Sequence, residues 1–211
     1  TLNMNILIAD DHELVRAGLI RVIAEQFPTA KIKEVDNGRD AEKLGRTEKW
    51  DIIIMDMAMP EKTGLEVLKQ LRTESIKTPV LLFSIHPENQ YAIRVLKAGG
   101  NGYLSKDCPM IEFTEVMKII MSGRKYISPS VAEKLATKFD DDGNKEEHEL
   151  ISDRELQVLK LIASGKAVSE IADMLALSAA TISTYRHRLL EKMQLKNNAE
   201  LTHYAINHQL V

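Results

Sequence analysis

From Met4 to about residue 122 the chain switches repeatedly between short apolar runs and stretches with helical spacing. Ile6–Ala9, Lys31–Val35, Asp51–Met55, Pro79–Ser84 and Gly102–Ser105 read as strands. Three of them are nearly continuous apolar stretches, the pattern of strands covered on both faces. Between them Leu14, Ala17, Leu19 and Val22 form one helical face, and Leu65, Leu68 and Leu71 a second. Ile93, Leu96 and Lys97 begin a third, and Phe113, Val116 and Ile120 make a fourth. Five β units, each followed by a helix, predict a doubly wound, five-stranded parallel α/β sheet. Ligands of such sheets sit at the carboxyl ends of the strands.

Beyond residue 122 the pattern changes. Ser128-Pro129 is a helix start, Ser as N-cap and Pro at the first helical position, and the helix reaches about Phe139. The run from Asp140 to Glu149 is polar, like-charged and broken by Gly143, which predicts a solvated linker. Its glycine falls at the wrong place after the first Asp for a calcium loop. From residue 150 on every element reads as helix. Ser152-Asp153-Arg154-Glu155 matches a capping box, opening a helix with Leu156, Leu159 and Ile162 inward and Gly165 at its end. A short helix over Ser169–Ala176, a tight turn, a longer helix from Thr181 to about Met193 capped by Ser178, and a last helix from Asn198 to His208 follow. Short helix, turn and second helix is the layout of a small all-α helix-turn-helix domain. The expected division is 4–122, a linker over 123–149, and 150–211.

Composition narrows the class. With 44% apolar and 28% charged residues the chain can build real cores, and its one cysteine, Cys108, leaves no internal disulfide. No apolar run approaches ~18 residues, so a cytoplasmic protein without membrane spans is expected. Residues 150–211 hold 7 Lys/Arg against 6 Asp/Glu, and residues 1–130 hold 18 of each. Charge alone therefore announces no nucleic acid; a motif must.

Candidate chemistry lies at the strand ends. Asp10 and Asp11 end the first strand and Asp56 the third, so three carboxylates converge. A hard divalent cation with oxygen ligands, Mg²⁺, relieves their repulsion. Ser84 ends the fourth strand and Lys106 follows the fifth. A hydroxyl and an ammonium beside a metal and an Asp form an anion site suited to a phosphoryl group. Helix capping by Asp10 and Asp11 and ordinary pairing of Lys106 is the plainer alternative for each residue taken singly. An Mg²⁺-dependent phosphatase is a second reading, but such enzymes usually need an acid two residues beyond the nucleophile, and Ala58 stands there.

Ile8-Ala9-Asp10-Asp11-His12, Met55-Asp56-Met57-Ala58-Met59-Pro60 with Gly64, then Ser84, then Gly102-Tyr103-Leu104-Ser105-Lys106 resemble a response-regulator receiver domain over about residues 4–122. The resemblance implies the flavodoxin-like fold. It implies that Asp56 accepts a phosphoryl group from a phosphohistidine on a sensor histidine kinase. It further implies Mg²⁺ held by Asp11, Asp56 and the backbone carbonyl of Ala58, with Asp10 acting through water. Ser84 and Lys106 would contact phosphoryl oxygens, and Tyr103 falls on the family's switch aromatic, turning inward when Ser84 moves. Ala58 and His86 fall on the two positions that tune loss of the phosphoryl group. Two features depart from the commonest pattern: the hydroxyl is Ser rather than Thr, and Asp107 rather than Pro follows the lysine, so no cis peptide is implied.

Residues 150–211 are similar to the effector domain of LuxR/NarL-type regulators, through Ile151–Glu155, Val158-Leu159, Gly165, Glu170-Ile171-Ala172, Leu175, Ser178, Thr181-Ile182 and Lys192. Together with a receiver this points to the NarL/FixJ subfamily and a phosphorylation-controlled DNA-binding regulator. Projected at 100° per residue, Ile182, Tyr185, Leu189 and Met193 face the core. Ser183, Thr184, His187, Arg188 and Glu191 face outward. The resemblance puts Ser183, Thr184 and His187 on base edges. Arg186, Arg188, Lys166 and Lys192 are candidate phosphate contacts, with Ser178 and Thr181 at the helix start. Arg154 and Glu155 would be structural. Ser and His lack the strong cationic contact to guanine that lysines give, so a homodimer formed on phosphorylation is expected to supply affinity. Leu201, Ala205 and Leu210 of the last helix are candidates for that contact, with packing in the domain's own core as the alternative. The remaining expected partners are double-stranded DNA and, at a promoter, RNA polymerase; an RNA- or protein-binding output is the rival to DNA.

Overall fold

The structure, a computed structural model, describes residues 4–140, 151–208 and 210–211, and the chain divides into two compact units between Asp140 and Asp141. From residue 141 on, the expected acidic linker lies outside the described residues.

The first unit runs β1 (Asn5–Ala9), α1 (Glu13–Gln26), β2 (Lys31–Val35), α2 (Gly38–Thr47), β3 (Ile52–Met55), α3 (Gly64–Thr73), β4 (Val80–Ser84), α4 (Glu88–Lys97), β5 (Gly102–Ser105), α5 (Met110–Met121) and α6 (Pro129–Asp140). The strands are parallel in the order β2-β1-β3-β4-β5. Strands β1, β3 and β4 are buried on both faces, as their apolar runs require, while the edge strand β2 exposes Lys31, Lys33 and Glu34. One face packs Ile6, Ile8, Ile54, Leu81 and Phe83 against Leu19, Ile23, Phe113, Val116 and Ile120, with the Phe83 and Phe113 rings 5.4 Å apart. Each such side chain contributes about 1.5–3 kcal/mol by leaving water.

Three helices differ from the expectation. In α1, Leu14 is 89% exposed and Ala17 is exposed too; Leu19 and Ile23 are buried, with Val15 and Val22 packed beside them. Apolar residues occupy nearly the whole circumference of this helix, so spacing does not single out one face. In α4 the buried residues are Tyr91, Ala92 and Val95, not the neighbouring stripe of Ile93, Leu96 and Lys97. Helix α2 buries Gly38, Ala41 and Gly45, small residues that a search for large apolar side chains passes over. Trp50 Nε1 donates to the Leu44 carbonyl at 2.9 Å, tying α2 to the entry of β3 at the amino end of the sheet. Helix α6 starts at Pro129 as expected, and the Ser128 hydroxyl accepts from Val131 N–H at 3.3 Å. It belongs to the first unit: Val131 is buried, and Ser130 donates to Glu88 of α4 at 2.9 Å.

The second unit contains α7 (Asp153–Ala163), α8 (Val168–Met174), α9 (Ala179–Lys192) and α10 (Asn198–Asn207). Ser152 and Glu155 form the expected capping box, Glu155 N–H donating to Ser152 Oγ at 3.3 Å and Ser152 N–H to Glu155 Oε2 at 2.7 Å. The turn after α8 is a Schellman motif: Ala176, at φ 51°, donates to Asp173 O and Leu177 to Ala172 O. Ser178 caps α9 through Thr181 N–H. Helix α10 packs on α7, and Leu201, Ala205 and Leu210 are buried. These three therefore pack in the unit's own core and do not offer a contact between subunits.

Candidate functional site

Strand register brings the polar residues together. Ala9 is level with Met55, so Asp10 and Asp56 leave the sheet side by side, and Ser84 is level with Ser105, so Lys106 emerges next to it. Lys106 N–H donates to the Ser84 carbonyl at 2.9 Å, which fixes that second junction. Asp10, Asp56 and Ser84 are all buried.

Lys106 Nζ lies 2.6 Å from Asp10 Oδ2 and 3.2 Å from Asp56 Oδ2, so one ammonium bridges two buried carboxylates. The expectation gave this lysine to phosphoryl oxygens; here it is first the counter-ion of the acids, because two buried carboxylates so close cannot both stay charged without one. Asp10, expected to act through water, also accepts from His12 N–H at 2.9 Å. Asp56 Oδ1 accepts from Met57 N–H at 2.7 Å. Burial pushes the Asp56 carboxyl above its ordinary pKa; Lys106 pulls it back in part, and Asp10 raises it further. Asp11 is more open, and His12 Nδ1 stands 2.7 Å from its Oδ1. One ligand atom each from Asp10, Asp11, His12 and Asp56 lie within 4.8 Å of one another. A mainly oxygen donor set of this compactness fits a hard divalent cation. His12 was not foreseen as part of this cluster, although its place directly after Asp10-Asp11 was the available signal.

Tyr103 is buried, and its hydroxyl donates to the His86 carbonyl at 2.6 Å. It thus already holds the inward position. His86 N–H lies 3.4 Å from Ser84 Oγ, and the His86 ring tilts against Tyr91 at 5.2 Å. Ser84, Tyr103, His86 and the start of α4 form one connected group. Ala58 is half-buried on the loop between β3 and α3, and no peptide bond among the described residues is cis.

On α9, Ser183, Thr184, His187, Arg188 and Glu191 are exposed while Ile182 and Leu189 are buried, so the helix presents the expected outward face. His187 Nε2 is 3.5 Å from Glu191, Thr184 Oγ1 donates to Ala180 O, and Arg186 Nε donates to Asn198 Oδ1 at 2.5 Å. Lys166 lies 3.9 Å from Glu170 on the surface. Lys192 is different from what was expected. Its ammonium lies 2.8 and 3.0 Å from the oxygens of Glu155, which is buried and needs the charge, so Lys192 serves the domain's framework. Arg154 donates to Gln157 at 3.1 Å, again within the framework.

Residues 6–118 match the response regulator receiver domain family, and residues 149–205 match the luxR family of bacterial regulatory proteins. The response regulator UvrY of Escherichia coli strain K12 is 35% identical over 208 residues, covering 98% of this chain and 95% of its own. The response regulator GacA of Pseudomonas viridiflava is 33% identical over 209 residues, covering 99% and 98%. RcsB from Salmonella enterica serovar Typhimurium, solved bound to promoter P1flhDC in the presence of the phosphomimetic BeF3⁻, is 25% identical with a TM-score of 0.59, covering 96% of this chain and 98% of its own. The chain belongs to the two-component response regulators of the NarL/FixJ type, DNA-binding transcription regulators in which a receiver domain precedes a LuxR-type helix-turn-helix domain. No helix among the described residues is long and apolar enough to cross a membrane.

Proposed function

We propose that Asp56 is the phosphoacceptor, and that its phosphorylation by a sensor histidine kinase favours a homodimer that binds paired DNA half-sites. The observation that carries this reading is the bridge of Lys106 between Asp10 and Asp56 at the carboxyl ends of β1, β3 and β5. Met57 N–H and Lys106 hold opposite oxygens of Asp56, so the nucleophile is oriented before it reacts. In the transfer an Asp56 oxygen forms the new P–O bond, the P–N bond of the phosphohistidine breaks, and the imidazole leaves with its electron pair. Lys106 and the Ser84 hydroxyl stand where the phosphoryl oxygens arrive. Asp10, Asp11, Asp56 and the Ala58 carbonyl are the proposed holders of Mg²⁺, which when bound neutralises charge on the phosphoryl group. Acetyl phosphate is expected to raise the intact mass by one phosphoryl group only with Mg²⁺ present, and Asp56→Asn to abolish the gain. A phosphorylated Asp56→Asn protein overturns the assignment.

Ala58 offers no polar group to orient a water, so the phosphorylated state is expected to be long-lived. Ala58→Asn should change the decay rate, read from the disappearance of the phosphorylated mass; superimposable decay curves place residue 58 away from the leaving path. For the DNA unit, Ser183, Thr184 and His187 are the proposed base readers, with Arg186, Arg188 and Lys166 on phosphates. Since Leu201, Ala205 and Leu210 are buried, the large apolar side chain that α10 presents outward is Ile206, 58% exposed. Ile206→Arg is expected to weaken binding to paired half-sites and spare binding to a single one, by DNA titration. Equal weakening of both moves the dimer contact off α10.

A further inference from the structure

The loop between β3 and α3 carries Ala58, and its tip is gripped from an unexpected side. Gly38 N–H, at the start of α2, donates to the Pro60 carbonyl at 3.1 Å. Arg39 Nε lies 2.7 Å from Glu61 Oε2, and Glu42 pairs with Lys62 Nζ. Three consecutive loop residues are thus each held by one turn of one helix. Glu61 sits at φ 66°, a left-handed conformation that a side chain disfavours and that persists where the surroundings impose it. The base of the loop is tied separately: Gly64 N–H donates to Met57 O at 3.0 Å, and a Cβ on Gly64 would stand 2.1 Å from the Asp56 carbonyl oxygen.

The grip is closest at Gly38. A Cβ there would lie 2.0 Å from the Lys62 carbonyl oxygen and 2.7 Å from its carbon, a backbone collision that only a shift of the loop against the first turn of α2 relieves. The fully buried residues of α2 are all small, Gly38, Ala41 and Gly45, so the helix can approach the loop closely.

We infer that the first turn of α2 is a positioning clamp: Gly38, with Glu42, sets the β3–α3 loop and through it the backbone carbonyl of Ala58 that the Mg²⁺ site uses. This rests on the assignment of that carbonyl and of Asp56 above. Residues that orient metal ligands typically change metal affinity by about ten-fold or more when altered, so the clamp should be read in the metal, not in the chemistry.

The test uses the full chain and Mg²⁺ itself. Gly38→Ala leaves a better helix residue in place, so a defect does not come from loss of α2. Calorimetric Mg²⁺ affinity is expected to fall about ten-fold. The Mg²⁺ concentration giving half-maximal phosphorylation by acetyl phosphate should rise in step, while the rate at saturating Mg²⁺ stays near that of the unaltered protein. Gly45→Ala, in the same helix but facing Leu71, should change neither. A folded Gly38→Ala protein with unchanged Mg²⁺ affinity overturns the clamp, as does a lowered saturating rate with unchanged affinity. If Gly38→Ala does not fold, Glu42→Gln and Lys62→Met decide. Each should weaken Mg²⁺ binding and the double variant no more than either; unaltered affinity in both singles overturns the proposal. Failure of the unaltered protein to bind Mg²⁺ instead overturns the phosphoacceptor assignment, and the clamp with it.

Discussion

Lys106→Met is expected to bind Mg²⁺ more tightly and accept a phosphoryl group far more slowly. The two effects run in opposite directions because the proposed function gives Lys106 a second role beyond its pairing with the acids. At rest it is the counter-ion of Asp10 and Asp56, 2.6 and 3.2 Å away in a buried setting. Without it the carboxylates repel, and a divalent cation no longer competes with a resident positive charge, so affinity should rise roughly ten-fold. During the proposed transfer, however, the same ammonium would stabilise charge spreading over the phosphoryl oxygens, and loss of such a group costs roughly a hundred- to a thousand-fold in rate. Calorimetry and mass-detected phosphorylation on one preparation check both. Mg²⁺ binding equal to or weaker than that of the unaltered protein shows that Lys106 is not the resting counter-ion.

Glu155→Ala should destabilise the helix-turn-helix unit by about 2–3 kcal/mol, since it removes half of a capping box and leaves Lys192 without its partner. For a unit of this size that lowers its melting temperature by roughly 10–20 °C, measured by circular dichroism. A pH dependence follows. Burial opposes ionisation of Glu155, but hydrogen bonds from Lys192 and Ser152 outweigh it and hold the carboxyl below its ordinary value of 4.5. A depressed folded-state pKa gives stability that is complete above the ordinary value and is lost as pH falls through the depressed one. The unaltered unit should therefore weaken on acidification over that window. Glu155→Ala should be weak throughout and flat across the same window; a parallel acid loss in the variant assigns the effect to another carboxylate.

The convergence of polar residues was legible because its signals are local and sequential: Asp10, Asp56, Ser84 and Lys106 each stand at the end of a short strand, and parallel register does the rest. Long-range pairing was not. Nothing near Lys192 in the chain announces that Glu155, on another helix, will claim it, and a solvent-facing lysine on a recognition helix looks the same either way. Faces failed where they were not unique, as in α1, with apolar residues nearly all round, and α4, where two adjacent stripes compete. Helix α2 gives a weak signal for the opposite reason: its fully buried residues are all small, yet that is what lets it come close to the β3–α3 loop. In α10, apolar spacing identified a packed stripe but not its partner; Leu201 and Ala205 are buried on a helix that packs on α7 in the same unit.

Trp50 is the sole tryptophan of the chain, anchored through Nε1 to the Leu44 carbonyl at the amino end of the sheet, away from Asp56. Its emission is therefore a private reporter of the first unit's folding. Acid that melts the unit held by Glu155 should reduce the circular dichroism of the whole protein while leaving the tryptophan spectrum in place. Two transitions that would overlap by dichroism alone can then be separated in one sample without a label.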